Sequence, residues 1–459
     1  MKNISRRKSI KAMGLLGLGL GADSKIISSK NYLPDYAFGK EKTGRKLTAI
    51  TCGAGARGNT YGGYALKFPE ELDIVGVAEP IEIRRARYSE KHNIPKENQF
   101  HTWEEFFDKP KMADICIITT PDDLHYGPAM AALEKGYDLL LEKPIAQTWK
   151  ECHDILKLQK EKDAIVAVCH VLRYSPYYRK IKEVLDEKRL GELVSVQHFE
   201  PIQYVHMAHS FVRGNWRRKE DTNPIILAKS CHDMDMLRWW IDRKCEYVSS
   251  FGSLKWFKDS NAPEGSTARC TDGCTIESSC PYSAKRIYFD ERTWLYVFDL
   301  PEEKEKQGSA IMENLKTGPY GRCVYRCDNN VADHQIVNMQ FKDDITASFS
   351  MEAFTDYWGR RTRIMGTMGC IVGDEQDLYI SDFKTKEIEH WITKEHADIT
   401  SGHGGGDYGL VSDFLNAVDK QDENLLSSNL ESSMESHLMA FQAEESRLDL
   451  TVKKIDLDL

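Results

Sequence analysis

The sequence predicts an α/β protein of two domains: a doubly wound parallel sheet first, and a larger half of mixed strands and helices after it. Three observations carry that expectation. From Lys46 short apolar runs alternate with helical patterns, which is the mark of βαβ units. The first run leads directly into a glycine-rich turn, and beyond residue 171 several runs alternate apolar with polar residues. A length of 459 residues leaves room for two or three domains of about 150 residues each.

Charge and composition narrow the class. Lys and Arg number 62 against 71 Asp and Glu, a net charge of −9, which disfavours a partner bound through a phosphate backbone. Nucleic acid is not an expected partner. With 41% hydrophobic and 29% charged residues and no bilayer-length apolar run, the chain is expected to be globular and free of the membrane after its leader is removed. That leader is read over 1–30, from the charged segment Ser5-Arg6-Arg7-Lys8 and the apolar stretch Ala12 to Ala22. The paired arginines resemble a twin-arginine signal, although Ser9 stands where that pattern usually has phenylalanine, so the ordinary secretory route stays open. The expectation is export to the periplasm by the twin-arginine machinery, with a linker over 31–45.

Residues 46–170 read as the first domain, with strands at Leu47 to Cys52, Asp73 to Ala78, Ile115 to Thr119, Asp138 to Leu141 and Ile165 to Cys169. Gly53-Ala54-Gly55-Ala56-Arg57-Gly58 is a G-x-G-x-x-G between strand and helix, where backbone approaches a pyrophosphate and the helix N-terminus meets its charge. Gly53, Gly55, Arg57 and Gly58 are thus candidate dinucleotide contacts. Glu79 ends the second strand, at the spacing of the acid that accepts the adenosine ribose hydroxyls, and a carboxylate there repels the extra phosphate of NADP. NAD is the expected cofactor, with NADP less favoured. Arg84 and Arg85, within one helical turn, could stack on adenine, accept that phosphate, or line a solvated helix face.

Two further segments lie at strand ends, where ligands sit in open α/β sheets. They are Thr119-Thr120-Pro121-Asp122-Asp123-Leu124-His125 and Glu142-Lys143-Pro144. With Arg173-Tyr174-Ser175-Pro176, the helix stop at Gly191 and Arg363-Ile364-Met365-Gly366-Thr367, the chain resembles the glucose-fructose oxidoreductase, inositol dehydrogenase and rhizopine catabolism (Gfo/Idh/MocA) family from Lys46 to about Leu448. The resemblance implies a Rossmann domain followed by an α/β domain with an open, mostly antiparallel sheet. It also implies that Thr120, Pro121, His125, Glu142 and Lys143 border the nicotinamide. Residues 171–459 would form the second domain, with strands at Val194 to Phe199, Gln335 to Phe341 and Ile345 to Met351, others near Arg363, Ile371 and Tyr379, and a helix over Glu431 to Leu448. A homo-oligomer formed through that sheet is expected.

Oxidising a secondary alcohol needs a base for the hydroxyl proton and a donor to hold the developing alkoxide. Lys143 and His232 are the candidates. His232 lies in Ala228-Lys229-Ser230-Cys231-His232-Asp233-Met234-Asp235, which resembles the family's D-x-G-x-H-x-x-D segment, but Ala228 replaces its first aspartate and leaves Lys229 as the neighbouring charge. Asp235, three residues on, could orient the imidazole. The stretch holding Tyr204, His206, His209, Arg213 and Trp216 mixes hydrogen-bonding groups with aromatic rings, as a sugar site does. Its two histidines also allow a metal reading without an evident third ligand. His403, in Gly402-His403-Gly404-Gly405-Gly406-Asp407, resembles a segment of the family's NAD-dependent glycosidase branch.

Five of the twelve cysteines fall within a cysteine-rich insertion over about 260–330. Cys270, Cys274 and Cys280, with Cys327 or Cys323 as fourth ligand, have spacing suited to a structural zinc; disulfides and free thiols are the alternatives. The leading expectation is an exported NAD-dependent oxidoreductase acting on a secondary hydroxyl of a carbohydrate. An NAD-recycling glycosidase and a non-catalytic carbohydrate-binding or sensor protein are the alternatives.

Overall fold

The computed structural model describes residues 25–28, 44–396 and 402–456. The twin arginines, the apolar stretch of the leader and nearly all of the linker lie outside the described residues. Lys25–Ser28 forms strand β1, which overlaps the end of the expected leader and pairs in parallel with Glu387–Ile392.

The first domain is a parallel sheet of β2 (Leu47–Cys52), β3 (Leu72–Ala78), β4 (Gln99–Phe100), β5 (Ile115–Ile118), β6 (Asp138–Leu141) and β7 (Val166–Val168). Their order is β4-β3-β2-β5-β6-β7. Burial on both faces explains the near-continuous apolar runs, such as Ile115 to Ile118, all 1% exposed or less. Only β4, two residues long, has no counterpart in the sequence pattern. The order reverses between β2 and β5, so their carboxyl ends, Cys52 and Ile118, open a crevice into which the glycine loop and the Thr119 to His125 segment both lead.

The second domain carries a ten-stranded sheet built on β8 (Leu193–Pro201), β9 (Cys245–Ser253), β10 (His334–Phe341), β11 (Thr346–Glu352), β12 (Arg361–Gly366), β13 (Gly369–Gly373), β14 (Asp377–Asp382), β15 (Glu387–Ile392) and β16 (Lys453–Lys454), with β1 at one edge. Its pairings are antiparallel except β8 with β11 and β1 with β15. One face packs on the helices Cys231–Ile241 and Leu430–Asp449 through Val196, Phe349, Met234, Trp240 and Met439. The other face is open, with Val194, Tyr247, Phe251 and Ile336 exposed. Strand β9 is not legible in the sequence because its serines and glycine blur the alternation, and β15 because charged residues occupy its outward positions.

Between β9 and β10 runs the cysteine-rich insertion, which has its own small core of Ala284, Ile287, Tyr288, Phe298, Ile311 and Leu315. Arg213 anchors it, donating to the carbonyls of Arg322 and Tyr282 at 2.7 Å each. Among the described residues no helix is long and apolar enough to cross a membrane.

Candidate active site

The glycine loop has the shape a pyrophosphate requires. Gly53 has φ +94°, and a Cβ there would lie 2.6 Å from the Thr119 carbonyl; at Gly58 it would lie 2.2 Å from the Gly53 carbonyl. Gly55 differs, since a Cβ there meets nothing within 4 Å. The loop is packed tightly from below and open where a ligand approaches. Helix Ala56–Lys67 starts at Gly55 with no side-chain cap and no acidic residue in its first turn, so its N–H groups remain for an anion. At the end of β3 the Glu79 carboxylate accepts from the N–H groups of Ala54 (2.8 Å) and Ile81 (2.9 Å). These bonds fix its position and leave acceptor capacity for two ribose hydroxyls. The residues present fit a bound dinucleotide.

Arg57 joins motifs far apart in sequence. Its guanidinium donates to Glu142 (2.6 Å) and Asp407 (2.8 Å) and also contacts the Tyr61 hydroxyl, which itself donates to Glu142 at 2.8 Å. Burial alone would push the Glu142 carboxyl up, but the Arg57 and Lys143 charges and the Arg57 and Tyr61 hydrogen bonds hold it below its ordinary value. The second Glu142 oxygen accepts the Lys143 N–H at 2.8 Å. Arg57 is therefore a clamp between the glycine loop, the Glu142-Lys143-Pro144 turn and the helix Gly406–Lys420. His125 is likewise internal, its ring nitrogens 2.7 Å from the Pro144 carbonyl and 3.0 Å from that of Thr120, so it ties together the two loops expected at the nicotinamide. Thr120 and Pro121 stay on the crevice rim, with the Thr120 hydroxyl donating to Leu124. Arg84 forms a bidentate pair with Asp299 of the insertion.

Lys143 reaches from the first domain into the second, where its ammonium donates to the Ala228 carbonyl at 2.7 Å. Near it, on the helix Cys231–Ile241, is His232, 6% exposed and with Nδ1 buried without a partner. Burial, and then the charges of Lys143, His170 and His403, hold His232 well below the usual imidazole range, so the ring is neutral. His170 and His403 flank it with ring centroids at 5.8 and 6.2 Å. His403 is oriented by Asp407 at 3.1 Å.

Several expectations are corrected. Asp235 does not orient His232 or face substrate. It is fully buried and held by Arg173 in a bidentate pair at 2.6 and 2.7 Å. Arg213 and His209 are structural: Arg213 anchors the insertion, and His209, 2% exposed, stacks between Trp294 (4.6 Å) and Tyr320 (5.0 Å). Trp216 donates to both carboxylate oxygens of Asp122 (3.1 and 3.2 Å), which latches the second domain to the crevice rim. Lys229 pairs with Glu200 at 3.3 Å, Glu200 with Arg360 at 2.7 Å, and Arg360 with Asp233 at 2.5 Å. The carboxylate missing at Ala228 is thus answered nearby by Glu200, from the end of β8, which no local motif signals. His206, half-buried with Nδ1 lacking a partner, lies between Trp294 (5.7 Å) and Trp358 (5.4 Å), while Tyr204 is half-buried beside Tyr282.

The zinc expectation is corrected as well. Cys270, Cys274, Cys280 and Cys323 line one small cavity, but among the described residues no group of three or more His, Cys, Asp or Glu is placed to hold a metal ion. The Cys270 sulfur accepts from the Ala284 N–H, and Cys327 turns aside to donate to the Cys323 carbonyl at 3.2 Å. All twelve cysteines are free thiols, so disulfides do not replace the metal.

Comparison with known proteins follows the same division. Residues 47–170 match the model of an oxidoreductase family's NAD-binding Rossmann fold, and residues 182–447 match that family's C-terminal α/β domain. The YteT protein of Bacillus subtilis, named as an oxidoreductase, is 24% identical over 373 residues, covering 76% of this chain and 83% of its own length. The NADP(+)-linked scyllo-inositol 2-dehydrogenase IolW of the same organism is 28% identical over 182 residues, 39% of this chain and 48% of IolW. A levoglucosan dehydrogenase solved with NADH and levoglucosan superposes with a TM-score of 0.66 at 17% identity, covering 90% of this chain and all of that one.

Proposed function

Because the chain belongs to the Gfo/Idh/MocA oxidoreductase family and binds NAD through its Rossmann domain, we propose that it moves hydride between nicotinamide and a secondary hydroxyl of a sugar or sugar derivative. The observation that carries this reading is the placement of Lys143, across the domain boundary, near a neutral His232 whose Nδ1 has no hydrogen-bond partner. When bound, NAD supplies the hydride acceptor. The chain supplies the rest. Lys143 spends one N–H on Ala228 and offers the others to the substrate oxygen, where an ammonium steadies the developing alkoxide. His232 accepts the hydrogen bond of the reacting hydroxyl at a neutral ring nitrogen and takes its proton as hydride leaves, when the growing acidity of the developing carbonyl offsets the ring's lowered basicity. Lys229, held by Glu200, offers a cation to neighbouring hydroxyls, and the exposed indole of Trp358 offers a face to the C–H side of a pyranose. The related sugar and inositol dehydrogenases support this substrate class.

Incubating the protein with NAD and a panel of sugars, and following NADH absorbance, tests the reading. A second reading has its own support: the loop bearing His403 and Asp407 sits at this centre, as in an enzyme that oxidises a sugar, eliminates its glycosidic substituent, adds water and reduces again. Release of a chromogenic aglycone without net NADH would identify that cycle.

Export is part of the same proposal, since folding around NAD before crossing the membrane suits the twin-arginine route. Arg6→Lys with Arg7→Lys should hold the protein in the cytoplasm, and undiminished export would contradict that. The open sheet face around Tyr247, Phe251 and Ile336 is proposed to pair with a second copy, which light scattering would report as a dimer or higher oligomer.

A further inference from the structure

The helix Glu82–His92 opens one turn after Glu79, and two of its arginines, Arg84 and Arg85, lie close enough to Glu79 to interact with it. Each has a partner. Arg85 donates to the Glu79 carbonyl at 2.6 Å and is buried. Arg84 donates through Nε and Nη2 to both oxygens of Asp299, at 3.0 and 2.9 Å, and Arg87 donates to the Leu300 carbonyl at 3.0 Å. Asp299 and Leu300 come from the insertion between β9 and β10, more than two hundred residues away in sequence. The insertion therefore docks on the helix Glu82–His92 as well as on Arg213 of the second domain.

Charge gives that contact a consequence. A guanidinium fork matches a phosphate as well as it matches a carboxylate, and it serves one of them at a time. Arg84, occupied at both nitrogens and 31% exposed, is withheld from a 2′-phosphate. Arg84 already lies under the charges of two carboxylates, Asp299 and Glu79, where such a phosphate would bring a further charge of about −1.5 to −2. We propose that Asp299 is a specificity-determining residue for the dinucleotide: by holding Arg84 in a bidentate pair it excludes NADP and reserves the site for NAD. This goes beyond the preference ascribed to Glu79 and rests on the dinucleotide occupying the crevice described above.

Calorimetric titration of the full chain with NAD+ and NADP+, and with the fragments adenosine 5′-monophosphate and adenosine 2′-monophosphate, tests the proposal. Asp299→Asn should tighten NADP+ and the 2′-phosphate fragment by about tenfold or more, while NAD+ and the 5′-phosphate fragment stay within about threefold. Adding Arg84→Ala to Asp299→Asn should remove the gain. An unchanged ratio of NADP+ to NAD+ affinity in Asp299→Asn would overturn the proposal, as would a gain that survives Arg84→Ala or a parallel loss of both dinucleotides. Failure of the unaltered chain to bind either dinucleotide would instead remove the cofactor assignment on which it rests.

Discussion

Lys143 and His232 come near each other only because two domains fold together, and the proposal gives each a distinct task in hydride transfer. Lys143→Ala and His232→Ala should each lower turnover by about two to four orders of magnitude and leave NAD affinity within about threefold, since neither residue is needed to hold the dinucleotide. Steady-state rates combined with a binding titration check this, and a variant of either residue with full turnover would drop it from the mechanism. Both candidates are legible in the sequence, through the Glu142-Lys143-Pro144 turn and the segment around His232. Their partners are not. Spacing puts Asp235 beside His232, because residues three apart share a helix face, yet Arg173, sixty-two positions away, has claimed it. Local spacing reports which side chains could meet; it does not report which buried cation reaches a carboxylate first. Glu200 and Arg360 are invisible for the same reason, since each comes from an element whose own pattern only says strand or loop.

At the scale of elements, Arg57 ties three motifs into one unit, and its loss should be felt as stability before it is felt as catalysis. Glu142 and Asp407 have side chains 6% and 1% exposed, so Arg57→Ala leaves two buried carboxylates without their cation. Breaking a buried pair from one side costs about 3–5 kcal/mol. A lowered urea midpoint in Arg57→Ala, partly recovered in Arg57→Lys, is the expected result, and an unchanged midpoint would show that the clamp contributes nothing. Most elements are legible, because parallel strands buried on both faces give unbroken apolar runs and half-buried strands give alternation. The cysteine cluster misleads for a physical reason: thiol spacing in sequence suggests ligation, whereas folding turns the Cys327 sulfur toward a backbone carbonyl and leaves the Cys270 sulfur accepting an N–H.

The whole molecule buries imidazoles that water would protonate, which fixes its response to acid. His170 and His437 are completely buried and held to about 3 and about 4, in each case chiefly by burial, and His232 is held well below its ordinary range. In the unfolded chain these rings titrate near 6.5. As pH falls below that value the unfolded state takes up protons that the folded state refuses, so stability drops, by about 1.4 kcal/mol per histidine per pH unit until each folded pKa is reached. Carboxylates held low, such as Asp233 at about 2, where the Arg360 charge overcomes burial, add a second loss below the ordinary carboxylate pKa. Melting temperature measured from pH 7 to pH 4.5 should therefore fall steeply, beginning near 6.5, and a flat profile across that window would contradict the assignment of these rings as neutral.

The central claim is that hydride passes between a carbinol carbon of a sugar and the nicotinamide of a bound dinucleotide, with Lys143 and His232 serving the hydroxyl group. It is tested most directly by incubating the NAD-loaded protein with sugars deuterated at single carbinol carbons and reading the mass of the bound dinucleotide. The predicted result is one deuterium in the nicotinamide from one labelled position of an accepted sugar, strongly reduced in His232→Ala. A dinucleotide that stays unlabelled with every sugar offered, while remaining fully bound, would contradict it.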